Sequence, residues 1–172
     1  MPVINPDHLL EQAERLTAPP EAGAPRQADL RRAISAAYYA LFHEILIEAT
    51  DNMIGRKHRQ EARYELAYRS VDHKSLRLLC EEIRKQKLPA KYAKYEPEGG
   101  FGPDLSAVAT AFLELQEKRN IADYDPLFRV RTSDAVFAVA TSRDAIQRLR
   151  GTRRARRKAF LSLVFFSPRG QG

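Results

Sequence analysis

The sequence predicts an all-α protein, an antiparallel bundle of about five or six helices, and three observations predict it. The run Asp29–Asp51 (DLRRAISAAYYALFHEILIEATD) holds neither Gly nor Pro. It places Leu30, Ala33, Ile34, Ala37, Tyr38, Leu41, Phe42, Ile45 and Leu46 at the three- and four-residue steps of one helix face. Apolar residues in most other stretches between turn signals follow the same period. Strand-like patterning is confined to Phe128–Val130 and the C-terminal tail. At 172 residues the chain can bury a core as one domain, read here as 1–150, with 151–172 as a basic and then apolar tail.

In chain order, Asn5 can cap a first helix with Pro6 at its first position, and Leu9, Leu10, Ala13 and Leu16 form its stripe to about Thr17. His8 falls in the exposed first turn. Ala18–Pro25 (APPEAGAP) is a linker that cannot continue a helix. In the central run Ala36, Tyr39, Ala40 and His43 lie beside the main stripe, so that helix is apolar around most of its circumference and belongs inside a bundle. Asp51, Asn52 and Gly55 supply its stop. A polar helix is expected over Arg56–Val71, with Ala62, Leu66, Tyr64 and Tyr68 inward. Asp72 can cap the next, whose stripe is Leu76, Leu79, Cys80 and Ile83.

Leu88–Pro103 (LPAKYAKYEPEGGFGP) is the longest irregular stretch. Its alternating Tyr and Lys either stack bases and touch phosphate or simply lie on the bundle. Asp104 is expected to cap a strong helix with Leu105, Val108, Ala109, Phe112 and Leu115 inward, ending near Asp123-Tyr124-Asp125-Pro126. Ser133 is expected to cap the last regular helix, with Ala135, Val139, Ser142 and Ile146 on one face and Gly151 as its stop. The tail joins a basic run to the apolar Ala159–Phe166, which can extend a helix, dock on the bundle or cover a partner subunit.

Composition excludes several classes. The single cysteine, Cys80, allows no internal disulfide, suits a reducing cytoplasm, and reads as a small core residue. One Cys and four scattered His offer no ligand-spaced pair, so no metal and no cofactor is expected. No apolar run is long enough to span a bilayer, and the N-terminal acids do not fit a secretory leader. The net charge of +7 is local: eight of the 29 basic residues, but only one of the 22 acidic ones, lie between Arg143 and Lys158. Outside that segment the chain is neutral, so it is not a generally basic binder. Arg153, Arg154, Arg156, Arg157 and Lys158 read equally as a nucleic-acid-binding arm or as a solubilising helix end.

Two segments, SAAYYALFHEIL at Ser35–Leu46 and LQEKRNIADYDP at Leu115–Pro126, together resemble the HEPN superfamily of small helical nucleotide- and RNA-associated proteins, in particular its uncharacterised prokaryotic branch. The resemblance covers about Asp29–Leu149. It implies an antiparallel helical bundle, often a homodimer, with the later motif near the subunit interface. In the nuclease members it implies an Arg and a His with four to six residues between them, acting on the scissile phosphate and the ribose 2′-hydroxyl. Here Arg119 matches the Arg, but no histidine follows it.

The expected ligand-binding group is therefore Arg119, Asp123, Tyr124, Tyr39 and His43. Arg119 and Asp123 are also spaced for a purely structural i,i+4 ion pair. The function expected is binding of RNA or a nucleotide, leaning away from enzyme activity. The alternatives are an RNase toxin with an altered Arg/Asp/Tyr site in which Arg119 and Asp123 are catalytic, or the partner of a small nucleotidyltransferase in a toxin–antitoxin pair with Tyr124 as its modification acceptor.

Overall fold

The computed structural model describes residues 4–85 and 87–168. Among these the chain is all-α, with no strand: α1 (Pro6–Thr17), α2 (Gln27–Met53), α3 (Ala62–Arg69), α4 (His73–Ile83), α5 (Ala90–Ala93), α6 (Gly102–Tyr124), α7 (Thr132–Gly151) and α8 (Arg154–Phe165). Six of these answer to helices expected from the apolar period. The short α5 lies inside the stretch read as irregular, and α8 is formed by the tail.

Two compact units share the long helices α2, α6 and α7. The first gathers Asn5–Glu44 and Ala111–Gln147. Its α1 starts as the capping pattern requires, with the Asn5 side chain accepting the Asp7 N–H at 3.0 Å and Pro6 at the first position. In α2, Leu30, Ala33, Ile34, Ala37, Tyr38 and Leu41 are buried, and α6 and α7 supply Phe112, Leu115, Ala135, Val139 and Ile146. The pairing of α2 with α6 is antiparallel: Arg31 reaches Ala122, Tyr39 reaches Arg119, and Tyr38 and Phe42 pack on Phe112. The buried Ser142 hydroxyl donates to the Ala37 carbonyl at 2.7 Å, tying α7 to the other flank of α2. Gln27 clamps the connection before α7, donating to the Val130 carbonyl at 2.8 Å and accepting its N–H at 2.9 Å.

The second unit takes Ile45–Thr110 and 148–168. Asp72 caps α4 by accepting the Ser75 N–H at 2.6 Å, and Leu76, Leu79, Cys80 and Ile83 are buried as their spacing predicts. The tail docks: α8 packs on α4, with Phe160, Leu161, Leu163 and Val164 buried. Polar Arg56–Val71 is not one helix but a 3₁₀ turn at Arg56–His58 followed by α3. Leu66 is 74% exposed there and Ala62 is exposed as well, whereas Tyr64 is buried and stacks on Tyr68 with ring centres 6.5 Å apart. Asp51 draws α3 inward by accepting bonds from Tyr64, at 2.9 Å, and from Arg59. Helix α6 begins at Gly102, so Asp104 lies in its first turn instead of capping it. Likewise Ser133 lies inside α7.

Gly102 has φ +81°, a conformation that disfavours side chains, and a Cβ there would collide with Arg156 Nη1. Arg156 also donates to the Gly99 carbonyl at 2.8 Å. The Gly-rich end of the loop thus makes room for one arginine of the basic run.

Candidate functional site

Four polar residues interrupt the apolar circumference of α2 at four-residue steps: Arg31, Ser35, Tyr39 and His43. A four-residue step advances about one helical turn, so they form one stripe. Within the first unit this stripe meets the C-terminal half of α6.

Arg119 is the centre. Its side chain is 17% exposed, and Nη2 donates to Tyr39 Oη at 2.8 Å while Nη1 donates to Asn120 Oδ1 at 3.1 Å. Its buried Nε lies 2.8 Å from Asp123 Oδ2, but the N–H is not aimed along that line, so the contact is an ion pair without hydrogen-bond alignment. Three rings surround the guanidinium carbon, those of Tyr124, Tyr39 and Tyr38 at 5.3, 5.4 and 5.9 Å. These distances are within cation–π range. Burial opposes the charge on Arg119, but Tyr39, Asp123 and Tyr124 together outweigh it and raise the guanidinium's pKa. Arg119 is therefore a permanent cation in an aromatic cradle.

Asp123 is used on both oxygens, accepting the hydroxyl of the buried Ser35 on Oδ1 and pairing with Arg119 through Oδ2. His43 enters through its ring, stacking on Tyr39 with centres 5.9 Å apart and meeting Phe42 edge-on. Tyr124, at the end of α6, is 71% exposed. No family model, curated protein or solved structure matches the chain.

All five residues expected in the ligand group thus belong to one cluster, with Arg119, Tyr39, Asp123 and Tyr124 in direct contact and His43 attached through Tyr39. Sequence reasoning missed Ser35 and Arg31. Arg31 donates to the carbonyls of Ala122 at 2.7 Å and Asp125 at 2.8 Å, and also to that of Phe128. It thereby satisfies backbone acceptors that the end of α6 leaves open. The signal for both was the polar step of four along a helix that is apolar around most of its circumference.

The basic run divides in two. Arg156 is held by Gly99; Arg157 donates to the Arg150 carbonyl at 2.7 Å and lies 3.8 Å from Glu48. Arg153, Arg154 and Lys158 are exposed, and among the described residues no carboxylate pairs with them. Among the described residues no group of three or more His, Cys, Asp or Glu is arranged to hold a metal ion, and no helix is long and apolar enough to cross a membrane.

Proposed function

We propose that this chain is a HEPN-like protein that binds RNA or a nucleotide as a homodimer, without the usual metal-independent RNase site. The observation that carries the reading is the aromatic setting of Arg119. The guanidinium has five N–H donors, of which Tyr39 and Asn120 take one each. The planar fork suits a phosphate, and exposed Tyr124 beside it offers a face for a base or ribose. Asp123 is engaged by Ser35 and Arg119, which favours a positioning part over that of a general base. Ile121, Tyr124, Leu127 and Phe128 form an exposed, largely apolar segment next to Arg119, which supports a subunit contact at this end of α6.

RNA-binding and RNA-cleavage assays on wild type and Arg119→Ala test this reading. Wild type should bind without cutting, and the variant should bind about tenfold or more weakly, as befits loss of a charged hydrogen-bonding partner. Arg119-dependent cleavage would instead establish the RNase reading. The exposure of Tyr124 favours one further role, acceptor for a partner nucleotidyltransferase, and a nucleotidyl adduct on Tyr124 in intact-mass and peptide analysis would establish it.

A further inference from the structure

Within the second unit an open groove of about 590 Å³ lies between the loop before α6 and the end of α8, lined by Tyr95, Ala159, Ser162, Leu163, Phe166 and the segment Ser167-Pro168. Two of its rings stand out to solvent: Tyr95 is 47% and Phe166 is 60% exposed. Lys94 holds its ammonium 5.8 Å from the centre of the Tyr95 ring.

The wall supplied by α8 does not end with the apolar residues. Lys158 lies one turn before Ser162, whose hydroxyl donates to the Lys158 carbonyl at 2.9 Å, and Arg154 lies one turn before Lys158. A four-residue step keeps all three near one face, so the groove continues into a strip of exposed cations that no carboxylate among the described residues pairs. Those cations weaken the helix that carries them. They occupy the first turns of α8, where the backbone dipole is positive, with no acidic residue in the first turn and no side-chain cap. Local choices that disfavour their own element tend to fall at functional sites.

We infer that this groove is a second binding site, for single-stranded RNA, in which bases stack on Tyr95 and Phe166 while the backbone runs along Lys94, Lys158 and Arg154. Exposed aromatic faces interleaved with cations are what an unpaired strand requires: every base has a face to stack, and every phosphate a charge to meet. A duplex keeps its bases stacked on one another and cannot use the rings. An acidic polypeptide would use the cations but not the alternation of ring and charge. The inference rests on the proposal that the chain's ligand is RNA, and it is independent of whether Arg119 contacts that RNA.

The test is fluorescence anisotropy of a labelled oligouridylate of about 12 nucleotides, a length suited to such grooves, with the full-length protein at low salt. Tyr95→Ala and Phe166→Ala should each weaken binding at least about fivefold, whereas Tyr95→Phe should leave it unchanged. Lys158→Glu should weaken binding and flatten its salt dependence by about 0.7 in the slope of log K against log salt for each phosphate no longer neutralised. Both ring positions are well exposed, so circular dichroism should show the variants folded. Binding unaffected by both ring substitutions but lost in Arg119→Ala would overturn the groove and leave the Arg119 site standing. Binding lost with the rings but intact in Arg119→Ala would establish the groove and overturn the Arg119 reading. Equal affinity for duplex RNA or for a polyglutamate peptide would overturn the stacking role, and an oligonucleotide that does not bind wild type at all would overturn the groove and, at Arg119, RNA as the ligand.

Discussion

Arg119 Nη2 and Tyr39 Oη are 2.8 Å apart although their residues are 80 positions apart in the chain, and with Ser35–Asp123 and Arg31–Ala122 this bond joins α6 to the polar stripe of α2. Tyr39→Phe keeps the ring beneath the guanidinium and removes the hydroxyl. It should cost about 1.5–3 kcal/mol in urea denaturation, the usual range for a bond with a charged donor. In a double-mutant cycle with Arg119→Ala the two losses should not add, because each substitution removes the same bond. Additive losses would show that the pair contributes no coupling.

A glycine position separates two kinds of strain. Gly102→Ala places a side chain at φ +81° and in the path of Arg156. The expected loss is about 1–2 kcal/mol, nearly all of it backbone strain, because the Arg156 guanidinium is the end of a flexible side chain that can swing aside. Adding Arg156→Ala should recover the small steric share only. Thermal melts of the two single variants and the double variant read this directly.

Acid should loosen α4 through its cap. Hydrogen bonds from the Ser75 backbone, then from its side chain, hold the Asp72 carboxyl below its usual value. A group whose pKa is lower in the folded state stabilises fully above its unfolded value, near 3.8, and that stability is lost as pH falls through the folded value. Asp72→Ala should cost about 1 kcal/mol at neutral pH. Asp72→Asn should keep most of the cap and lessen the fall in melting temperature on acidification. An unchanged acid dependence in Asp72→Asn would assign that dependence to other carboxylates.

Cys80 is buried, and desolvation pushes its thiol well above the ordinary range. Little thiolate forms at mildly alkaline pH, so a thiol reagent should label the native protein far more slowly than free cysteine and promptly once urea unfolds it. Rapid native labelling would place Cys80 outside the core.

Much of this architecture is legible in the residues. Leu105, Val108, Ala109, Phe112 and Leu115 repeat the helical period with no Gly or Pro between them, and all five are fully buried. The period fails where the helix is short. Over Ala62–Arg69 two tyrosines outweigh Leu66, because a stacked pair tied to Asp51 buries more area than one aliphatic side chain. At the site, Arg119 and Asp123 announce themselves by their spacing, and Tyr39 and His43 by theirs. The link between these pairs depends on two helices meeting, which no local pattern encodes. Arg31 is harder still, since its partners are backbone carbonyls and leave no trace in side-chain identity.

That arginine has a consequence for recognition. With one side chain bonded to the carbonyls of Ala122, Asp125 and Phe128, the turn that follows α6 is pinned from behind while Tyr124 and Leu127 face outward. A molecule that settles on those two residues meets a turn already in place, so association sacrifices little backbone freedom there and more of the contact energy survives as affinity.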